Sequence, residues 1–166
     1  MPIILARIDD RLIHGQVVVG WAKVLKANHI VVADDEVIKN DIQKFLFRMA
    51  TPEDIKLSIL TIKETSNMIK ERKFDNDYTI ILFKVPESVL KLLNFGGMIG
   101  EVNIGGMHFS ENKVQLTDAI FVDEKDIETF NEIRKRGVKL EIRMVPTDTK
   151  KDLFKVIDEK FKRNKK

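Results

Sequence analysis

Asp9-Asp10-Arg11-Leu12-Ile13-His14-Gly15-Gln16 brings two carboxylates, a guanidinium and an imidazole together in one short polar run. A neutral imidazole is a nucleophile, and as such it can take up a phosphoryl group and pass it on. Arg11 supplies a planar fork of N–H donors that matches phosphate oxygens, a geometry Lys lacks. Asp9 or Asp10 could hold one ring nitrogen of His14 and leave the other free to attack; either could equally cap a helix or shape the turn. Gly15 removes a side chain where a phosphate would approach, and Gln16 and Val17 offer further backbone N–H donors. Plainer roles exist for each: a surface ion pair from Arg11 to Asp9 or Asp10, a turn glycine at 15, a structural histidine at 14.

The run lies where an apolar strand hands over to a helix. Ile3 to Ile8 suits a buried strand, and from Gln16 onward Val17, Val18, Trp21, Val24 and Leu25 recur at helical spacing. His14 therefore sits beside the free N–H groups of a helix N-terminus. That terminus and the neighbouring Arg disfavour a positive charge on the ring and favour an anion attached to it. Further strands are predicted over His29 to Ala33, Lys56 to Leu60, Tyr78 to Phe83, Glu101 to Ile104, Ala119 to Val122 and Leu140 to Met144. Helices are predicted over Gln16 to Lys26, Val37 to Ala50, Ile62 to Arg72, Pro86 to Asn94, Glu124 to Arg136 and Asp148 to Phe161, with Pro86 in a first turn and Gly137 closing a C-terminus. The alternation predicts a single three-layer α/β domain over 1–166: a mostly parallel sheet of about seven strands with helices on both faces. In such sheets ligands gather beyond the carboxyl ends of the strands, the edge that carries Asp9 to Gly15 and Asp34-Asp35.

Composition removes several function classes. The chain has no Cys, which excludes disulfides, thiolate metal sites and a cysteine nucleophile. Its 29 Lys+Arg against 26 Asp+Glu leave a net charge of only +3, the basic tail Lys160 to Lys166 reads as a solvated helix end rather than a nucleic-acid arm, and the aromatic residues show no alternation with basic ones of the kind a nucleic-acid platform uses. No apolar run approaches the ~18 residues of a membrane span, and Met1-Pro2 leads into the first strand with no signal-peptide pattern. The expected setting is cytoplasmic.

Elsewhere the chemistry is thin. Glycines 96, 97, 100, 105 and 106 fit neither phosphate-loop fingerprint and read as tight turns around the strand at 101–104. The three histidines show no HExxH or other recognised metal spacing. His29 reads as structural, and His108 as a residue at the edge near the site. Asp34 and Asp35 read as loop and cap residues, with Arg7 or Arg11 as possible partners. Trp21 and the Phe residues read as packing.

The run RIDDRLIHGQV followed by Trp21 resembles the signature of the enzyme IIB component of the mannose/fructose/sorbose family of bacterial sugar phosphotransferase systems. The resemblance continues through Ala33-Asp34-Asp35, Lys84-Val85-Pro86-Glu87, Asn103-Ile104-Gly105-Gly106-Met107 and Met144-Val145-Pro146-Thr147. It implies a protein-histidine-phosphate:sugar phosphotransferase in which His14 accepts phosphate on Nδ1 from a phosphorylated IIA protein and passes it to a sugar entering through IIC and IID membrane subunits. Arg11 and the amides of Gly15, Gln16 and Val17 would then cradle the phosphate, and Asp9 or Asp10 would orient the ring. No cofactor is implied, and membrane association would be peripheral, at the inner face, through IIC and IID. No segment of the chain is long enough for an added IIA domain, so the donor is expected to be a separate protein. A shuttle also requires an accessible His14, and Arg7 and Arg11 are expected to add positive charge to the surface a partner meets. The contrasting reading is a binding module whose anion pocket senses a phosphorylated partner or metabolite without accepting phosphate.

Overall fold

Alternation within the first strand decides what each face of the sheet carries. In the computed structural model, which describes residues 3–164, β1 spans Ile3–Asp9. Met1 and Pro2, and Lys165 and Lys166 of the basic tail, lie outside the described residues. Ala6 and Ile8 point into one buried cluster and Leu5 into another on the opposite face. With a period of two, Arg7 and Asp9 share the face of Leu5.

The order continues with a π-wound turn at Gln16–Trp21 running into α1 (Ala22–Leu25), β2 (His29–Ala33), a 3₁₀ turn (Val37–Lys39), α2 (Asp41–Ala50), β3 (Lys56–Leu60), α3 (Ile62–Lys70) and β4 (Thr79–Phe83). Then come α4 (Pro86–Asn94), β5 (Glu101–Gly106), β6 (Val114–Thr117), β7 (Ile120–Val122), α5 (Glu124–Lys135), β8 (Lys139–Ile142), β9 (Lys151–Asp152) and α6 (Leu153–Asn164). The main sheet has seven strands in the order β3-β2-β4-β1-β5-β8-β9, parallel except for β9, which runs antiparallel to β8. The α1–α2 layer covers Leu5, Ile30, Val32, Ile80 and Leu82; α3, α4, α5 and α6 pack on Ala6, Ile8, Val102, Ile104 and Ile142. The three-layer α/β expectation holds.

Several details differ from the sequence expectation, each for a local reason. Ala119 to Val122 does not join the main sheet: Ile120–Val122 pairs antiparallel with Val114–Thr117, and β9 takes the seventh place. The helix expected over Val37 to Ala50 breaks at Asn40, whose side chain accepts the Gln43 amide at 3.0 Å and so caps α2. The last helix starts at Leu153 rather than Asp148, because the Asp148 carboxylate accepts the amides of Met144 and Val145 and closes a turn. Gly105 and Gly106 lie within β5 rather than in a turn.

His29 is structural, as expected: it is buried at the start of β2, between Ser58 Oγ at 2.8 Å and Asp77 at 3.1 Å. Burial, with the charge of Lys56 added, holds its basicity below the ordinary imidazole value despite the opposing pull of Asp77. The unfolded chain therefore binds a proton at a pH where the folded chain does not. Stability present above the unfolded value of about 6.5 is lost as pH falls toward the folded one. His29→Asn should lose less melting temperature between neutral and mildly acidic buffer than the parent does, and equal losses would remove His29 as the cause.

Candidate active site

β1 and β5 are neighbours whose chains leave in opposite directions, β1 through α1 on one face and β5 toward α5 on the other. A crevice opens at the carboxyl ends of two such strands. The amide of Asp10 donates to the Gly106 carbonyl at 3.1 Å and ties the loop after β1 to the end of β5. Leu12 takes a left-handed conformation (φ 58°) with its side chain fully buried, a backbone state that only a fixed surrounding maintains in a residue other than glycine. The loop that delivers His14 is thus anchored at both its start and its middle.

Asp9 is the hub. Its buried carboxylate accepts His14 Nε2 at 2.8 Å and Arg7 Nη2 at 3.1 Å on one oxygen, and the Arg11 amide at 3.1 Å on the other. Burial pushes this carboxyl up, but the His14 hydrogen bond and the Arg7 charge outweigh it and leave the group below the ordinary Asp value. An ionised carboxylate only accepts, so Nε2 carries a proton, and in the neutral ring Nδ1 keeps its lone pair. The His14 side chain is 15% exposed: mostly covered, yet open to solvent.

Arg11 stands at the mouth, 44% exposed, its Nη2 3.4 Å from Gln16 Oε1. The helix begins without a side-chain cap, and the amides of Gly15 and Gln16 donate to no protein acceptor among the described residues. Val17 differs from the expectation: its amide donates to the His14 carbonyl at 3.0 Å. A Cβ built on Gly15 meets nothing within 4 Å, so this glycine leaves open space in front of the helix.

Asp10 does not reach the ring of His14. It accepts the His108 amide at 2.7 Å and pairs with His108 Nδ1, which places His108 on the site's rim. Asp34 accepts the amides of Glu36 and Val37, while Asp35 accepts the Ile62 amide and pairs with Lys91; neither contacts Arg7 or Arg11.

The largest correction concerns Arg7, which is wholly buried and adds nothing to an outer surface. Its Nη1 donates to Asn103 Oδ1 (2.7 Å) and the Arg143 carbonyl (3.0 Å), and its Nη2 to Asp9 and the Met144 carbonyl (3.1 Å each). Burial lowers its basicity and Asp9 opposes that shift. Register puts Arg7 beside Asn103 and Asn103 beside Glu141, so a polar row crosses β1, β5 and β8. Asn103 donates to Glu141 at 3.1 Å, and Arg143 closes the row on Glu141 at 2.9 Å. Trp21 lies under both guanidinium groups and donates from Nε1 to the Met144 carbonyl at 2.9 Å.

This second layer escaped the sequence reading. Its signal was the alternation Val102-Asn103-Ile104-Gly105 and Leu140-Glu141-Ile142-Arg143, which is unusual for parallel strands covered on both faces. On this side the indole of Trp21 packs against the two guanidinium groups, and the polar side chains of the row satisfy one another.

Comparison with known proteins follows the same outline. Residues 3–166 match the family model described as PTS system sorbose subfamily IIB component. The sorbose-specific EIIB component of Lacticaseibacillus casei is 39% identical over 97% of this chain and 98% of its own length. The mannose-specific EIIAB component of Escherichia coli strain K12 is 38% identical over 95% of this chain, which corresponds to 49% of the longer protein. Among solved structures, the IIBSor domain of the sorbose permease from Klebsiella pneumoniae superposes with a TM-score of 0.88 at 37% identity, covering 96% of this chain and 98% of that one.

Proposed function

The chain belongs to the sorbose-subfamily IIB components of the sugar phosphotransferase system, and on that premise we propose that it is a phosphoryl carrier working through His14. His14 Nδ1 attacks the phosphorus of a IIA phosphohistidine; the new N–P bond forms as the donor's N–P bond breaks. In the second step a sugar hydroxyl attacks the same phosphorus, its proton passes to solvent, and the N–P bond to His14 breaks with its electron pair returning to Nδ1. The sugar is presented by IIC and IID membrane subunits, and the carrier meets them at the inner face of the membrane. The E. coli relative is itself named as an EIIAB component, which supports a IIA partner for a domain of this kind.

The observation that carries this reading is the 2.8 Å contact of His14 Nε2 with Asp9, which turns Nδ1 outward as the free nucleophile. Phosphoryl transfer asks for positioning and charge stabilisation, and the residues present offer both. Arg11, and the free amides of Gly15 and Gln16 that follow His14 directly in the chain, would hold a phosphate on His14. Asp9 stabilises the ring through each transfer, and Arg7 holds Asp9 ionised.

The test is direct. Mixed with a phosphorylated IIA protein, the chain should gain the mass of one phosphoryl group, labile in acid and retained in base. A base-labile ester on Ser or Thr would sink the assignment. Binding of the donor without any mass gain would leave the sensing module as the better reading.

Arg11 gives a graded check. Arg11→Lys keeps the charge and loses the fork, so single-turnover transfer should slow about 10-fold or more while donor affinity changes little. Equal rates for the two proteins would remove Arg11 from the cradle.

A further inference from the structure

One helix face stands apart from the phosphoryl site and is poorly suited to water. α2 turns Phe47 inward onto the core cluster of Leu12, Val17 and Trp21, yet its other large apolar residues, Ile42, Phe45, Leu46 and Met49, are each between 57% and 75% exposed. Their spacing of three, one and three residues makes a continuous stripe along two turns. The stripe presents roughly 500 Å² of apolar surface, near the top of what a monomer ordinarily exposes in one patch.

We propose that this face is the interface of an isologous homodimer, in which two copies pair their α2 helices antiparallel about a twofold axis passing between Phe45 and Leu46. Area and composition favour a second copy over a transient carrier partner. Specific interfaces bury about 800 Å² per partner, so the stripe supplies the apolar centre and its polar flanks the remainder. A permanent homodimer is rich in apolar residues at its centre, whereas brief encounters are smaller and more polar.

Charge fixes the direction. Asp41 and Arg48 lie on the same flank of the stripe; Asp41 is 96% exposed with only Lys44 at 3.4 Å, and Arg48 is exposed with no ion pair among the described residues. In the antiparallel arrangement Asp41 comes level, within about 3 Å along the axis, with Arg48 of the partner subunit, and symmetry makes that contact twice. Parallel pairing would carry the two copies' Asp41 and Arg48 flanks to opposite sides of the interface and form no such contact. The antiparallel arrangement also opposes the two helix dipoles favourably. None of the stripe residues belongs to the His14 site, so pairing is compatible with phosphate uptake by both copies.

Sedimentation equilibrium of the whole chain up to about 100 µM should give twice the chain mass. Leu46→Glu should weaken association roughly 100-fold, since the change enters the centre of the interface from both copies, while its circular dichroism spectrum and phosphate uptake stay those of the parent. Asp41→Arg and Arg48→Asp should each weaken pairing, and the double exchange should restore it. A parent chain that remains single over this range overturns the proposal, as does a Leu46→Glu chain that stays paired. A single chain that instead sediments with lipid vesicles or with a membrane partner gives the stripe another occupant and equally overturns it.

Discussion

His14→Ala should bring phosphate uptake from a phosphorylated IIA protein down to background while the protein stays folded. No other side chain bonded to Asp9 or Asp10 within the loop Asp9 to Gln16 can take over. Arg11 does not act as a nucleophile while charged, Asp9 is buried under Arg7 and the loop, and Asp10 is engaged by His108. Asp9 keeps its bonds from Arg7 and the Arg11 amide when the ring is removed, so the stability cost is that of one hydrogen bond to a charged group, about 1–3 kcal/mol. Intact-protein mass spectrometry after donor treatment, alongside a denaturant melt, checks both halves. His108→Ala and His29→Asn should take up phosphate at full stoichiometry, because His108 stands on the rim and His29 lies at the opposite end of its strand. Full uptake by His14→Ala would end the assignment of the nucleophile.

Gly105→Ala should be among the most damaging single changes to the fold, although it adds one methyl group. A Cβ at this position would lie 1.9 Å from Arg7 Cζ and 2.0 Å from Nη2, so the guanidinium occupies the place of the missing side chain. Arg7 cannot move aside without giving up Asp9, Asn103 and two backbone carbonyls, and its departure would leave Asp9 a buried charge without its buried cationic partner. Breaking a buried pair from one side costs about 3–5 kcal/mol. Denaturant unfolding should show a loss of that size, and transfer should slow as well, since Asp9 no longer holds the His14 ring in place. A loss below about 1 kcal/mol would mean that Arg7 has a second resting place and that the Gly105 contact is incidental. The resemblance to a known family pointed to Asn103-Ile104-Gly105-Gly106 only as a motif; the Arg7 contact supplies a physical reason for a glycine inside a strand.

Much of the active loop was legible in the residue order. The identity of His14, its place between an apolar strand and a helix, and the company of Arg11 and Asp9 are local facts, settled by neighbours in sequence. The layering was legible for the same reason: apolar runs and helical spacing are short-range patterns, and the crossovers were long enough to force parallel strands. Boundaries were less so. Asn40 could have been read as the cap that divides the second helix, but the strand at 120–122 looked like a sheet member because its apolar residues do not reveal which strand they pair with.

The sequence by itself determined the chemistry at hand: one histidine beside an arginine and carboxylates at a helix start, with no cysteine, no metal spacing and no membrane span. Tertiary structure decided which groups act on one another. Asp9 rather than Asp10 meets the His14 ring because alternation in β1 turns Asp9 to the α1 side, while Asp10 lies beyond the strand and finds His108. Arg7 went from an expected surface charge to the buried support of Asp9 because Asn103 of β5, 96 residues away in sequence, and the carbonyls of Arg143 and Met144 just after β8, 136 and 137 residues away, come to it. Such partners share register, not sequence neighbourhood, and a buried charge is tolerable only where register brings enough of them to it.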